Sequence, residues 1–161
     1  MIPVTYTYMW IGSLALAGFG IPGFFGMAGF YSKDVIIESA WASGTGAGSF
    51  AFWAGLAAAL MTAFYSWRLI FLIFHGKPRC DERTFAHIHE SPKVMLVPLA
   101  VLALGSILAG AVGFEVFVGN SMQEFWGESI FILPTHNALA TSHKVPLIIK
   151  ISPLVMAVIG F

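Results

Sequence analysis

Three charged side chains lie close together in the stretch GFYSKDVIIESA, residues 29–40, namely Lys33, Asp34 and Glu38. The residues before them, from Met1 to Ser32, contain no ionisable side chain other than tyrosine. A lysine taken out of water is less stable as a cation, so a buried Lys33 could release its proton, and Asp34 would oppose that release while ionised. These residue types predict proton transfer by Lys33 and Asp34, provided that both lie within a membrane.

The composition is that of an integral membrane protein. Of 161 residues, 58% are hydrophobic and 10% are charged, whereas a soluble domain usually has about a quarter charged residues. Eight basic and eight acidic side chains balance, so no basic surface indicates nucleic-acid binding. The single cysteine, Cys80, excludes an internal disulfide and a cysteine cluster for zinc or iron–sulfur. We therefore expect an all-α fold of several transmembrane helices in a lipid bilayer, with no redox centre in this chain.

Four apolar stretches meet or approach the roughly 20 residues that a helix needs to cross a bilayer. They predict a broken transmembrane helix over residues 5–42, transmembrane helices over 50–74 and 94–118, and the start of a fourth over 145–161. The final stretch, 151–161, covers only about half of the hydrocarbon as a helix. We expect a single membrane domain that is part of a longer protein, cut inside a helix.

The first apolar element contains an unusual concentration of glycine. Five glycines and Pro22 fall within residues 18–29, and both residue types weaken a helix. Two geometries stay open. A continuous helix over residues 5–30 would be about 39 Å long and would place Lys33 in the outer headgroups. A broken helix would begin again with Ser32 as N-cap and place Lys33 deep in the membrane, where the positive end of the half-helix repels its ammonium.

Other polar side chains are weaker candidates. Arg68 and Glu115 lie near the ends of predicted helices, from where they can reach the membrane interface. His87 and His89 lie in a loop that lacks the histidine pair of a zinc protease helix, so we expect a solvated loop there and no metal site. Lys150 enters the last apolar stretch, and its depth stays open.

Basic and small residues indicate how the helices are arranged. The loop of residues 75–93 contains four lysine and arginine side chains, whereas the loop of residues 119–144 contains one. This excess predicts that residues 75–93 lie on the cytoplasmic side or its equivalent. Small residues recur every four positions from Ala51 to Ala63 and from Gly105 to Gly113, which predicts that these stripes pack closely against other helices.

Three stretches together resemble the antiporter-like subunit L of NADH-quinone oxidoreductase, respiratory complex I. They are LALAGFGIPGFFGMAGFYSKDVI, MTAFYSWRLIFLIFHGKPR and HIHESPKVMLVPLAVLALGSILAG, and the resemblance covers essentially the whole chain. It implies an all-helical subunit of the membrane arm, with a discontinuous helix that carries a lysine of the proton path. Lys33 matches that lysine, and Asp34 matches the adjacent acid.

The resemblance also implies the function and its setting. The expected function is proton transport coupled to NADH oxidation by quinone, in a bacterial inner membrane or a mitochondrial inner membrane, with the loop of residues 75–93 on the cytoplasmic or matrix side. NADH, FMN, iron–sulfur clusters and quinone belong to other subunits, so no cofactor is expected in this chain. The expected partners are the other membrane-arm subunits and the lipid bilayer.

Two other functions stay open. Subunits of multi-subunit sodium/proton antiporters are similar in the glycine-rich turn before the lysine, although HIHESP and FHGKPR favour the respiratory complex. A self-contained membrane scaffold would require the protein to end near Phe161.

Overall fold

A computed structural model describes residues 2–133 and 137–161, and helices dominate this part of the chain. The helices are α1 (Pro3–Ala17), α2 (Ala28–Ala42), α3 (Gly46–Ile70), α4 (Glu82–Ala86), α5 (Lys93–Phe117), α6 (Met122–Trp126), α7 (Ala138–Ser142) and α8 (Leu147–Ile159), and a π-helical turn, Phe71–His75, continues α3. The predicted all-α fold is confirmed. Two helical segments, Gly46–His75 and α5, are long and apolar enough to cross a membrane.

The first apolar element is interrupted between α1 and α2. Gly18 ends α1 in the left-handed conformation, with φ of 77°, which is a common helix ending. Two short strands, β1 (Gly20–Ile21) and β2 (Phe25–Gly26), then form an antiparallel hairpin that the all-α prediction did not include. Its turn has proline followed by Gly23 at φ of 80°, the order found in type II turns. The chain therefore has the interrupted geometry and not the continuous helix.

Backbone groups at this interruption find partners nearby. Gly18 N donates to Ala15 O at 3.1 Å, and Phe19 N donates to Leu14 O at 3.0 Å. Met27 N, just before α2, donates to Phe19 O at 3.0 Å. Because unpaired backbone groups are costly in lipid, these bonds and the hairpin allow a helix to stop and start again away from water.

The two half-helices, α1 and α2, lie between the two long helices. Each of them contacts both α3 and α5, and α8 packs against α3 and α2. On one side, Ile37 of α2 packs with Phe52 and Leu56 of α3. On the other, Ala17 of α1 packs with Trp67 of α3. The core therefore follows α3, where this helix meets the two half-helices.

The predicted stripes of small residues have different outcomes on the two long helices. On α3, Ala59 and Ala63 are buried, so the stripe is confirmed as a packing surface there, whereas Ala51 at its start is exposed. On α5 the stripe stays a prediction: among the described residues a Cβ at Gly105 would meet no atom within 4 Å, whereas a Cβ at Gly110, outside the stripe, would lie 2.5 Å from the ring of Tyr31 in α2. Since α5 has small residues on several faces, spacing alone did not identify the face that contacts α2.

The loop before α5 is attached to the start of α1. The Glu90 carboxylate accepts hydrogen bonds from the backbone N–H of Val4 at 2.9 Å and of Thr5 at 3.1 Å, and from the Thr5 hydroxyl. These bonds satisfy N–H groups that a helix start leaves unpaired, and they place an anion at the positive end of the helix dipole. The hydrogen bond from the Thr5 side chain holds the pKa of Glu90 below its usual range.

Candidate functional site

Lys33 lies in the second turn of α2, because this helix begins earlier than predicted. The N-cap of α2 is Met27, so the prediction of Ser32 as N-cap is wrong. The Ser32 hydroxyl instead donates to Ala28 O at 3.2 Å, inside the helix. Lys33 is thus the sixth residue of the 15-residue helix and does not lie in its first turn.

The amine of Lys33 is bound at the end of α1. Its Nζ donates a hydrogen bond to the carbonyl of Ala17, the last residue of α1, and the side chain is half-buried. Carbonyls of a last helical turn lack partners within the helix and form the negative end of its dipole. From the sequence we expected the amine to face the positive end of α2, whereas the structure places it at the negative end of the other half-helix.

Gly18 allows this close approach of Lys33. A Cβ at Gly18 would lie 2.7 Å from Nζ and 2.8 Å from Cε of Lys33, and these distances are shorter than any normal contact. The left-handed φ of Gly18 also requires a residue without a Cβ penalty. One glycine therefore ends α1 and leaves space for the amine.

Asp34 is enclosed and faces away from the amine. Its exposed fraction is 4%, and both carboxylate oxygens are buried without a hydrogen-bond partner among the described residues. Neighbouring residues of a helix point about 100° apart, so Lys33 and Asp34 act on each other through their charges and not through a shared hydrogen bond. A charge enclosed in this way is costly, which suits a carboxyl group that gains and loses a proton.

The remaining polar candidates lie elsewhere. Arg68 and Glu115 are exposed in the last turns of α3 and α5. His87 and His89 are exposed and bond to backbone carbonyls of their own loop, those of Arg83 and of Glu90. The position of Lys150, which the sequence left open, is the first turn of α8, where its Nζ donates to His143 O at 2.9 Å.

The chemistry open to this site follows from its atoms. A lysine ammonium is a hydrogen-bond donor and a backbone carbonyl is an acceptor that does not take up the proton. A proton that leaves Lys33 must therefore pass to a carboxylate or to water. Asp34 is the adjacent residue, and because the two side chains share no hydrogen bond, a proton could pass between them only through water.

Comparison with known proteins identifies similar chains. A sequence profile described as NADH dehydrogenase subunit 5 C-terminus matches residues 65–125. The chain is 54% identical over 131 residues to NADH-quinone oxidoreductase subunit L of Rhodobacter capsulatus, covering 78% of this chain and 18% of that protein. It is 40% identical over 161 residues to NADH-ubiquinone oxidoreductase chain 5 of Marchantia polymorpha, covering 99% and 23%. It is 42% identical over 159 residues to subunit L of Rickettsia bellii, covering 99% and 23%.

These relatives are much longer than this chain. The chain spans less than a quarter of the length of these three relatives. Lys33 and Asp34 lie outside the profile match at residues 65–125, in the half of the chain that only the pairwise comparisons reach.

Proposed function

We infer that this chain belongs to a proton-transporting subunit of a membrane arm, because it is a member of the family of NADH-quinone oxidoreductase subunit L and NADH-ubiquinone oxidoreductase chain 5. NADH oxidation by quinone, elsewhere in the complex, would drive this transport. NADH, FMN, the iron–sulfur clusters and quinone would all remain with other subunits.

One observation carries the proposal, namely the position of the Lys33 amine at the interruption of a helix. Interrupted helices inside membranes occur where ions are handled, because the ends of half-helices offer charge and unpaired backbone groups. The amine is bound to Ala17 O at such an end, with the enclosed Asp34 beside it in sequence. An amine with a fixed acceptor and a buried carboxyl neighbour combines a proton carrier with a group that can control it.

The proposed mechanism assigns a separate role to each group. Lys33 accepts a proton from the hydrated interior of the subunit and passes it towards the outer side. Asp34, while ionised, attracts the Lys33 charge and holds the proton on the amine. When another positive charge approaches Asp34, this attraction weakens and Lys33 releases its proton. The charge on Asp34 therefore controls the time of release.

The proposed setting is the inner membrane of a bacterium or of a mitochondrion. The basic loop of residues 75–93 lies on the cytoplasmic or matrix side, as its excess of lysine and arginine indicates. The remaining membrane-arm subunits of the complex and the surrounding lipid are its partners. In this orientation, α3 runs inward and the end of α2 lies towards the outer side.

A subunit of a sodium/proton antiporter is the alternative from another functional class. The names of the relatives compared above are those of the respiratory complex, and this favours the first function. Genes adjacent to this one would distinguish the two, because each function predicts its own set of neighbouring subunits.

The direct test replaces Lys33 by methionine in the full-length subunit within the assembled complex. We expect Lys33→Met to lower proton transport per NADH oxidised, since methionine keeps the length of the side chain and cannot bind a proton. Lys144→Met, at an exposed position, is the matched control and should transport protons normally. Transport at the wild-type level in Lys33→Met would refute the proposed role.

A further inference from the structure

The side chains of α2 leave an uncompensated charge in the interior of the protein. Lys33 contributes one positive charge, and Asp34 and Glu38 contribute two negative charges, so the formal net charge of α2 is −1. Charged residues within membrane segments usually pair with one another. Lys150 carries the opposite charge and lies on α8, which packs against α2.

The packing of α8 fixes Lys150 beside α2. The neighbouring residue, Ile149, packs against the core cluster that contains Ile37 of α2. The Lys150 ammonium itself is held by the carbonyl of His143 at 2.9 Å, just after α7, and α7 packs against α2. Two independent contacts therefore keep this ammonium near α2, and both Lys150 and Glu38 are half-buried.

Glu38 lies between the Lys33 site and the outer end of α2. It is five residues beyond Lys33, which is about 7.5 Å along the helix, and about 6 Å before the end of α2 at Ala42. It is also four residues beyond Asp34, so the two carboxyl groups occupy the same helix face about one turn apart. A proton that leaves Asp34 towards the outer side meets Glu38 next.

We propose that Glu38 is the proton acceptor that follows Asp34 on the outward path, and that Lys150 is a positioning residue that keeps Glu38 ready to accept. This proposal rests on the proposed function. An ammonium close to Glu38 stabilises its ionised, proton-accepting form. The hydrogen bond to His143 O holds that ammonium in place.

The proton steps balance as follows. An N–H bond of the Lys33 ammonium breaks as its proton passes to a water molecule, and that water gives one of its own protons to Asp34, where an O–H bond forms. The water is needed because the two side chains share no hydrogen bond. This step leaves a neutral amine and a neutral carboxyl group. A bridging water molecule then takes the proton from Asp34 and gives one of its own to Glu38, because carboxyl groups one helical turn apart are bridged better by water than directly. Asp34 is again ionised, and Glu38 is neutral. Lys150 now lacks its counter-ion, which favours release of the proton from Glu38 outwards.

The test measures proton transport per NADH oxidised and the amount of assembled complex for variants of the full-length subunit. Glu38→Gln should lower transport about tenfold or more at normal assembly, since positioned proton-transfer groups contribute on the order of 10² or more. Glu38→Asp, which retains a carboxyl group, should recover part of the loss. Glu115→Gln, the same substitution at an exposed helix end, is the matched control and should behave as wild type.

The role of Lys150 is tested by substitutions that remove or keep its charge and by a double variant with Glu38. Lys150→Met should lower transport and Lys150→Arg should restore most of it. The double variant Glu38→Gln with Lys150→Met should be no worse than Glu38→Gln alone, because Lys150 acts through Glu38. Normal transport in Glu38→Gln, or equal transport per assembled complex in Lys150→Met and wild type, overturns this inference.

The same set of variants separates this inference from the proposed function. If Lys33→Met loses transport while Glu38→Gln keeps it, the inference fails and the proposed function stands. If Lys33→Met keeps transport, the proposed function fails, and the inference that rests on it fails too.

Discussion

Replacing Gly18 by alanine tests the contact between the two half-helices, and Gly23 provides a matched control. Both glycines have a left-handed backbone, with φ of 77° and 80°, so an alanine at either position costs about 1–2 kcal/mol. The surroundings differ. A Cβ at Gly23 would meet no atom within 4 Å among the described residues, whereas a Cβ at Gly18 would lie 2.7 Å from Nζ of Lys33.

The difference between the two variants measures the lysine contact. In Gly18→Ala the amine must move away from Ala17 O, and a hydrogen bond to a charged group contributes about 1.5–3 kcal/mol. The lower value applies, since Lys33 is half-buried and water screens part of its charge. We therefore expect Gly18→Ala to lower the free energy of unfolding by about 1.5 kcal/mol more than Gly23→Ala does, measured by thermal unfolding of the purified complex in detergent.

Transport measurements on these two variants complete the test. Gly18→Ala should transport fewer protons per NADH oxidised than the wild type, because Lys33 has lost its fixed position. Gly23→Ala should keep wild-type transport despite its backbone strain. Equal transport and equal stability in the two variants would refute the reasoning, since both carry the same backbone strain and Gly18 lies against Lys33 whereas Gly23 does not.

Two further predictions concern the contacts that hold α1 and α2 in place. Gly110→Ala should lower the free energy of unfolding by about 1–3 kcal/mol through a clash with Tyr31. Gly105→Ala should leave the free energy of unfolding unchanged or raise it by up to about 1 kcal/mol. Equal thermal stability of the two variants would contradict this prediction. Glu90→Gln should speed hydrogen exchange at the start of α1, and Glu82→Gln should not. In the wild type, the protection that Glu90 gives should be complete above its ordinary pKa of 4.5 and be lost as the pH falls through its lowered pKa; protection that is independent of pH would contradict the contact.

The interruption of the first element could be predicted because its causes are local. A left-handed helix ending at Gly18 and a Pro22–Gly23 turn depend on a few adjacent residues. The position of Lys33 shortly after the interruption then follows from counting along the chain. The hairpin itself was not predicted, because strands of two residues show no recognisable alternation of polar and apolar side chains.

The start of α2 could not be predicted from its residues alone. Ser32 has the side chain of an N-cap, but a serine inside a helix can also bond to the carbonyl four residues earlier. Here it bonds to Ala28 O. The bond from Met27 N to Phe19 O joins the chain before α2 to the end of α1, and no residue near Ser32 indicates this tertiary contact.

Contacts between residues that are distant in the chain could not be predicted from the sequence either. Thr5 and Glu90 are 85 residues apart, and α8, which carries Lys150, packs against α2, which carries Glu38. From the sequence alone, the charged side chains involved, Glu90 and Lys150, could each have several roles. Glu90, for example, lies in a loop that we expected to be solvated. Only the arrangement of the helices selects among these roles.

The opposite ends of α1 are both fastened by charged side chains from other elements. Glu90 holds the first turn and Lys33 holds the last carbonyl, so each charge complements the pole of the helix that it touches. Between them lies a stiff rod of 15 residues, about 22 Å long. The loop that contains Glu90 and the amine of Lys33 are therefore joined through the two ends of one helix, so a displacement of either end of α1 changes a hydrogen bond to a charged side chain.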